Sequence, residues 1–246
     1  RNDDDYIDLT RNLATYWMHG SDSTPKQNQQ ATTTKIVPTV DNLFEMLERE
    51  GEGIDIIEIC GGAARTSTIA VRRGLRAGGN FDIITQCDLN QSTEQNRVLS
   101  FITTHKPLVI VMSPTCTPFG LLARFNYQVN HAAWLRSYNE AARHGRFCGV
   151  VARLAIELHI FFLNEKPEPS WLYAEQPWPY VTTRPTVTSE VIDQCMVGQK
   201  GPNNLPAKKP TRFYSNSPLL LKPLQRKRCD GPHTHDNLEG LHLIHI

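Results

Sequence analysis

The chain lacks an apolar run of about 18 residues or more, the length a membrane-spanning helix needs, so no such span is expected. No signal-peptide pattern stands at its start, and the first residue is Arg rather than Met, as expected of a piece released from a longer polypeptide. Cysteines are few and scattered, at 60, 87, 116, 148, 195 and 229, with no CxxC pair. That usage reads as reduced and intracellular, not as a disulfide framework. Acidic residues are missing altogether from 200–228, where eight basic residues stand (Lys200, Lys208, Lys209, Arg212, Lys222, Arg226, Lys227 and Arg228). Residues 41–58 are the reverse, with seven acidic residues against one Arg. A polyanion would therefore be met by the C-terminal third.

What is present suits a globular α/β protein. Hydrophobic residues make up 39% and charged residues 21% of 246, enough to bury a full core in one large domain. Residues 1–35 end in the polar tract SDSTPKQNQQATTT, which cannot build a core and reads as an N-terminal extension or linker. The domain is expected over 36–246, with a helix at 40–50 and a basic region at 200–228. Apolar runs then alternate with helical segments, which predicts a mostly parallel sheet. Its central strands are expected at 54–60, 82–87 and 108–113. A short strand is expected at 171–175 and others at 187–196 and 211–216. A long apolar helix is expected at 147–164, and the polar stretch 121–149 reads as an active-site lid.

The stretch KPLVIVMSPTCTPFG organises the rest. Five apolar residues, Leu108 to Met112, read as a strand buried on both faces. Two prolines, Pro114 and Pro118, then stiffen the loop that carries Cys116. A lone thiol, rigidly held at the carboxyl end of a central strand, stands where ligands and chemistry collect in open sheets, and it is a candidate nucleophile. Upstream, a strand is followed by the small-residue turn Gly61-Gly62-Ala63-Ala64 and a helix, an arrangement that lets backbone approach a ligand. Asp88, read as the end of the second strand, suits hydrogen bonds to two ribose hydroxyls, although capping of the next helix is an alternative use. Glu175, beside Pro177 and read as another strand end, is a candidate acid. In the tail, Cys229, His233 and His235 could ligate zinc, but no fourth ligand is evident in the sequence and no metal is assigned.

In this order the segments resemble the DNA (cytosine-5) methyltransferases and, more closely, methyltransferase-like segments of dinoflagellate retroelement polyproteins. EICGGAARTS (58–67) is similar to the family's S-adenosylmethionine loop, SPTCTPFG (113–120) to its nucleophile loop, AEQP (174–177) to its Glu-Asn-Val motif, and KKPTRFYSN (208–216) to a late Lys-Pro-Thr-Arg segment. The resemblance implies a Rossmann-like S-adenosylmethionine-dependent methyltransferase fold, acting on cytosine carbon 5 in nucleic acid. Cys116 and Glu175 would be catalytic, and Glu58, Gly61, Gly62, Ala64, Asp88 and Pro114 would bind S-adenosyl-L-methionine. Lys208, Lys209 and Arg212 would contact phosphates. Nuclear localisation follows if the host is eukaryotic. Ala64 replaces the family's second loop glycine, the interval from Asp88 to Cys116 leaves little room for the usual extra strand, and no long target-recognition insert is present. DNA is the favoured substrate. An RNA methyltransferase of the same fold and a catalytically silent nucleic-acid-binding module are the alternatives.

Overall fold

The computed structural model describes residues 53–231 and 233–236; the expected linker over 1–35, the helix at 40–50 and the domain start near 36 lie outside them. Six strands form one mixed sheet: β1 (Ile56–Ile59), β2 (Ala77–Phe81), β3 (Val109–Met112), β4 (Phe161–Pro167), β5 (Thr188–Asp193) and β6 (Pro210–Ser215). Their order is β2-β1-β3-β4-β6-β5. β2, β1, β3 and β4 pair in parallel, whereas β6 runs antiparallel to both β4 and β5. Among the described residues β6 is thus the one reversed strand.

Alternation along the strands sends side chains to two cores. Ile57, Ile59, Ile110, Met112 and Phe162 join one. Helices α2 (Ser92–His105), α4 (His131–Glu157) and α5 (Trp178–Thr182) cover it with Val98, Phe101, Cys148, Val151 and Trp178. Ile56, Val109, Val111, Leu163 and Phe213 turn to the other face. There they meet Ala70 of α1 (Arg65–Arg72) and Leu220 and Leu221 of α6 (Pro218–Leu221). Each fully buried Phe or Ile contributes about 1.5–3 kcal/mol relative to exposure. The remaining helix, α3 (Leu121–Val129), packs beside α4. Among the described residues no helix is long and apolar enough to cross a membrane.

Strands β1 and β3 lie where the sequence puts them, side by side at the centre. The second strand does not. Ala77-Gly-Gly-Asn-Phe81 forms β2, and the segment expected as strand, 82–87, is instead a 3-10 turn over Ile83–Thr85. Asp82 causes the change. Its Oδ1 accepts the Ile84 N–H at 3.0 Å while its own N–H donates to Thr85 Oγ1 at 3.2 Å, a reciprocal cap that halts extended pairing. Gly78 is required because a Cβ there would lie 2.6 Å from Ile54 Cγ2. Between β2 and β3 the only long element is α2.

A second departure lies downstream. The helix expected over 147–164 stops at Glu157, and His159 takes the left-handed conformation (φ 57°). The apolar run Phe161-Phe-Leu163 that follows is β4. The expected strand at 171–175 is a 3-10 turn, Trp171–Ala174. The stretch 121–149, expected as a partly helical lid with its helix at 132–143, is helical nearly throughout, as α3 and the first half of α4.

Candidate active site

A cavity of about 1040 Å³ opens at the carboxyl ends of β1, β3 and β4, the edge at which open parallel sheets bind ligands. Its floor begins with the turn between β1 and α1. Three residues there, Cys60, Gly62 and Ala64, hold positive φ (55°, 53° and 51°). Asn80 at the end of β2 clamps the turn, accepting from Gly61 N at 3.1 Å and donating to Gly62 O at 2.9 Å. Gly61 has no room for a side chain, since a Cβ would stand 2.7 Å from Asn80 Oδ1. Glu58, buried on β1, accepts the Ser67 N–H of α1 at 2.8 Å.

The acid that ends β2 is Asp82, not Asp88. Asp82 Oδ2 accepts from Gly62 N at 3.0 Å, so it belongs to the turn. Asp88 lies beyond the 3-10 turn, where its Oδ1 accepts from Asn90 N at 3.0 Å and its Oδ2 from the Gln91 side chain at 3.2 Å. That is the local turn chemistry of a helix start. Both carboxylates line the cavity.

Cys116 is half-buried in the cavity wall, with Pro114 and Thr115 before it. Its carbonyl accepts the N–H groups of Phe119 and Gly120 at 3.0 and 3.2 Å, closing the loop into a turn. From beneath, fully buried Lys166 donates from Nζ to Pro114 O. From the side, Trp134 donates from Nε1 to Pro118 O at 3.2 Å. Trp134 is itself one rung of an aromatic column on α3 and α4, running Tyr127, His131, Trp134, Tyr138 with neighbouring ring centroids 4.8 to 5.6 Å apart.

Glu175 does not share this cavity. It follows the Trp171–Ala174 turn and lines a separate pocket of about 300 Å³ with Pro118, Phe119 and Tyr138. Its Oε1 accepts from Tyr138 Oη at 2.6 Å and its Oε2 from Arg146 at 2.7 and 2.8 Å. Both oxygens are engaged by Tyr138 and Arg146, and the pocket that Glu175 lines is separate from the one that Cys116 lines.

On the Cys116 side, Glu165 on β4 also lines the cavity, and it is 8% exposed. Its Oε1 is buried without a hydrogen-bond partner. Burial raises its pKa above the ordinary carboxylate value, against the pull of Lys209 and Lys166. Burial likewise lowers Lys166, and the nearby Cys116 and Glu165 oppose that shift. The signal for Glu165 is Asn164-Glu-Lys-Pro167, an acidic residue at a strand end before a proline, directly after a segment read as helix up to Asn164. His144 of α4 also lines the cavity. Its Nε2 is buried without a partner, and burial lowers its pKa to about 4, so the ring is neutral near pH 7. Cys60 is no rival nucleophile, since the adjacent Cys148 and then burial push its thiol well above the ordinary range.

The three basic residues expected at phosphates part company. Lys208 is exposed, whereas Lys209 is buried and faces the cavity. Arg212 holds Glu168 in a two-pronged ion pair, Nε to Oε2 at 2.6 Å and Nη2 to Oε1 at 2.8 Å, and gives Nη1 to Ser189 at 2.8 Å. The Arg212 fork is thus engaged with Glu168 and Ser189 between the strands. Compared with known proteins, the chain matches no family model and no curated protein, and its function rests on the geometry of this cavity.

Proposed function

We propose that the chain is an S-adenosylmethionine-dependent methyltransferase acting on carbon 5 of cytosine in nucleic acid, DNA in preference to RNA, with Cys116 as nucleophile. One observation carries the reading. A thiol on a braced loop and a buried carboxyl group with a raised pKa share one cavity with a glycine turn at the end of the first strand. The volume exceeds what a cofactor alone needs, leaving space for an extruded base.

The cavity residues fit the cofactor. A side chain at Gly61 would clash with Asn80 and Glu58, so the turn is held tightly in place, and two carboxylates, Asp82 and Asp88, line the cavity with it. Gly61, Gly62 and Ala64 would face the amino-acid portion, with Glu58 beneath them and Pro114 opposite. Asp88 would hold the ribose hydroxyls, while Asp82 keeps the turn in shape. When bound, the cofactor supplies an electrophilic methyl group.

Cytosine carbon 5 is a weak nucleophile until a thiolate adds at carbon 6, and Cys is the side chain suited to that addition. Lys166 and Trp134 hold the Cys116 loop from two sides, which fixes the direction of attack. As the thiolate adds, negative charge develops on the ring, and a proton shared near ring nitrogen 3 stabilises it. Glu165 takes that role: burial raises its pKa, which favours the protonated form that can donate. Exposed Lys200 and buried Lys209, which line the cavity, and exposed Lys208 next in sequence supply positive charge for the phosphate backbone.

After methyl transfer, a base removes the carbon 5 proton and the thiolate leaves carbon 6; with fluorine at carbon 5 there is no proton to remove, and the adduct stalls. Protein incubated with such an oligonucleotide and cofactor should gain the mass of the oligonucleotide at Cys116, and Cys116→Ala should gain nothing. Parallel incubations with tritiated cofactor and DNA or RNA decide the substrate. Labelling of neither, with no adduct, overturns the proposal.

A further inference from the structure

Away from the cavity, four metal-ligating side chains converge where the chain's tail meets the end of β5. Cys195 stands in the 3-10 turn Gln194–Val197 that follows β5, and Cys229, His233 and His235 come from the tail. One ligand atom from each lies within 4.8 Å of all the others. Cys229 Sγ is 3.7 Å from His233 Nε2 and 3.3 Å from His235 Nε2. In a tetrahedron with zinc–sulfur bonds of about 2.3 Å and zinc–nitrogen bonds of about 2.0 Å, sulfur and nitrogen ligands stand about 3.5 Å apart. The two separations bracket that distance.

The surroundings are built to hold the donors. The Cys229 N–H donates to Asp193 Oδ2 at 2.8 Å, and the Gly231 N–H points at Cys229 Sγ at 3.4 Å. The first fixes the cysteine to a fully buried carboxylate. The second aims a backbone dipole at a sulfur that carries negative charge when it ligates a metal. Outer contacts of this kind orient ligands and tune them.

We propose that Cys195, Cys229, His233 and His235 bind one zinc ion in a closed structural site. Two thiolates and two imidazoles favour zinc over magnesium or calcium, which take oxygen ligands. Four protein ligands fill the tetrahedron and leave no position for substrate, so the ion ties the chain and does no chemistry. It ties the tail to the segment at 197–200, where Val197, Gly198, Gln199 and Lys200 line the cavity. Just past the last ligand, Asp236 accepts from Asn203 N at 2.6 Å and Asn203 Nδ2 at 2.7 Å, which extends the same anchorage.

Metal analysis of the purified protein after exhaustive dialysis tests this without any assay of methyl transfer. One zinc per chain is expected, and X-ray absorption should find two sulfurs at about 2.3 Å and two nitrogens at about 2.0 Å. Cobalt-loaded wild-type protein should show thiolate charge-transfer and tetrahedral visible bands, a readout that holds even if the ligand variants fold poorly. Cys195→Ser and His235→Ala should lose the ion, and Cys116→Ala should keep it. Protein that folds metal-free and takes up no zinc or cobalt, or that carries a Cys195–Cys229 disulfide, overturns the assignment.

Discussion

The ammonium group of Lys166 donates to the carbonyl of Pro114, two residues before Cys116. A lysine wholly inside the protein is therefore tied to the backbone that presents Cys116. Removing it should loosen that loop and change how the thiol is presented. Lys166→Met is expected to slow alkylation of Cys116 by iodoacetamide several-fold at neutral pH. An unchanged rate in a variant with normal circular dichroism would remove Lys166 from the site.

Glu165 and Glu175 make opposite predictions. Glu165→Gln should cut methyl transfer and adduct formation by about 10²–10⁴-fold, the usual contribution of a positioned proton donor. It should also raise stability at neutral pH, because a buried carboxyl group with a raised pKa is costly to ionise and the amide is not. Glu175→Gln weakens a half-exposed pair with Arg146 and should cost about 0.5–1 kcal/mol of stability while sparing the chemistry. Methylation assays beside urea titrations separate the two, and the reverse pattern would restore Glu175.

His144 gives the fold a pH dependence. Its pKa is lowered to about 4 in the folded protein, below the unfolded value of about 6.5. The unfolded chain therefore binds the proton first. The stability at stake is fully present above about pH 6.5 and is lost as pH falls toward 4. Between pH 7 and 5 the loss from this group is about 2 kcal/mol. His144→Asn should shrink that loss, measured as the shift in urea midpoint.

Ala64 sits in the left-handed region, φ 51° and ψ 41°. That conformation costs a residue with a Cβ about 1–2 kcal/mol, and glycine escapes it at the expense of about 0.4–1 kcal/mol of extra unfolded-state entropy. Ala64→Gly is expected to stabilise the protein by about 0.5–1 kcal/mol in thermal or urea unfolding. A loss of stability would mean that the Ala64 methyl group has packing value.

Much of this arrangement can be read in the residues, and the failures share a cause. β1 and β3 are runs of branched apolar residues buried on both faces, so burial and propensity agree. β2 is Ala-Gly-Gly-Asn-Phe, a poor strand by propensity, chosen because Gly78 fits against Ile54. Ile83 and Ile84, the better-looking strand residues, are 67% and 57% exposed. That inversion moved the strand-end acid from Asp82 to Asp88. At β4 the helix and the strand are both apolar, and only Leu158, His159 and Ile160 separate them. The boundary vanished into one long pattern, and Glu165 went with it. Cys195 could not be joined to the tail because only the fold brings the end of β5 to it.

The reversed strand carries a consequence for how the chain is made. β6 lies between β4 and β5 yet comes last among the strands. Until residues 210–215 leave the ribosome, Leu163–Pro167 has an open edge where Thr211–Ser215 will later pair. An open edge beside aromatic residues is a template for joining other chains. A nascent or truncated chain ending before Pro210 is therefore a nucleus for aggregation, and closing it requires a pairing between segments far apart in sequence, the slowest kind to form.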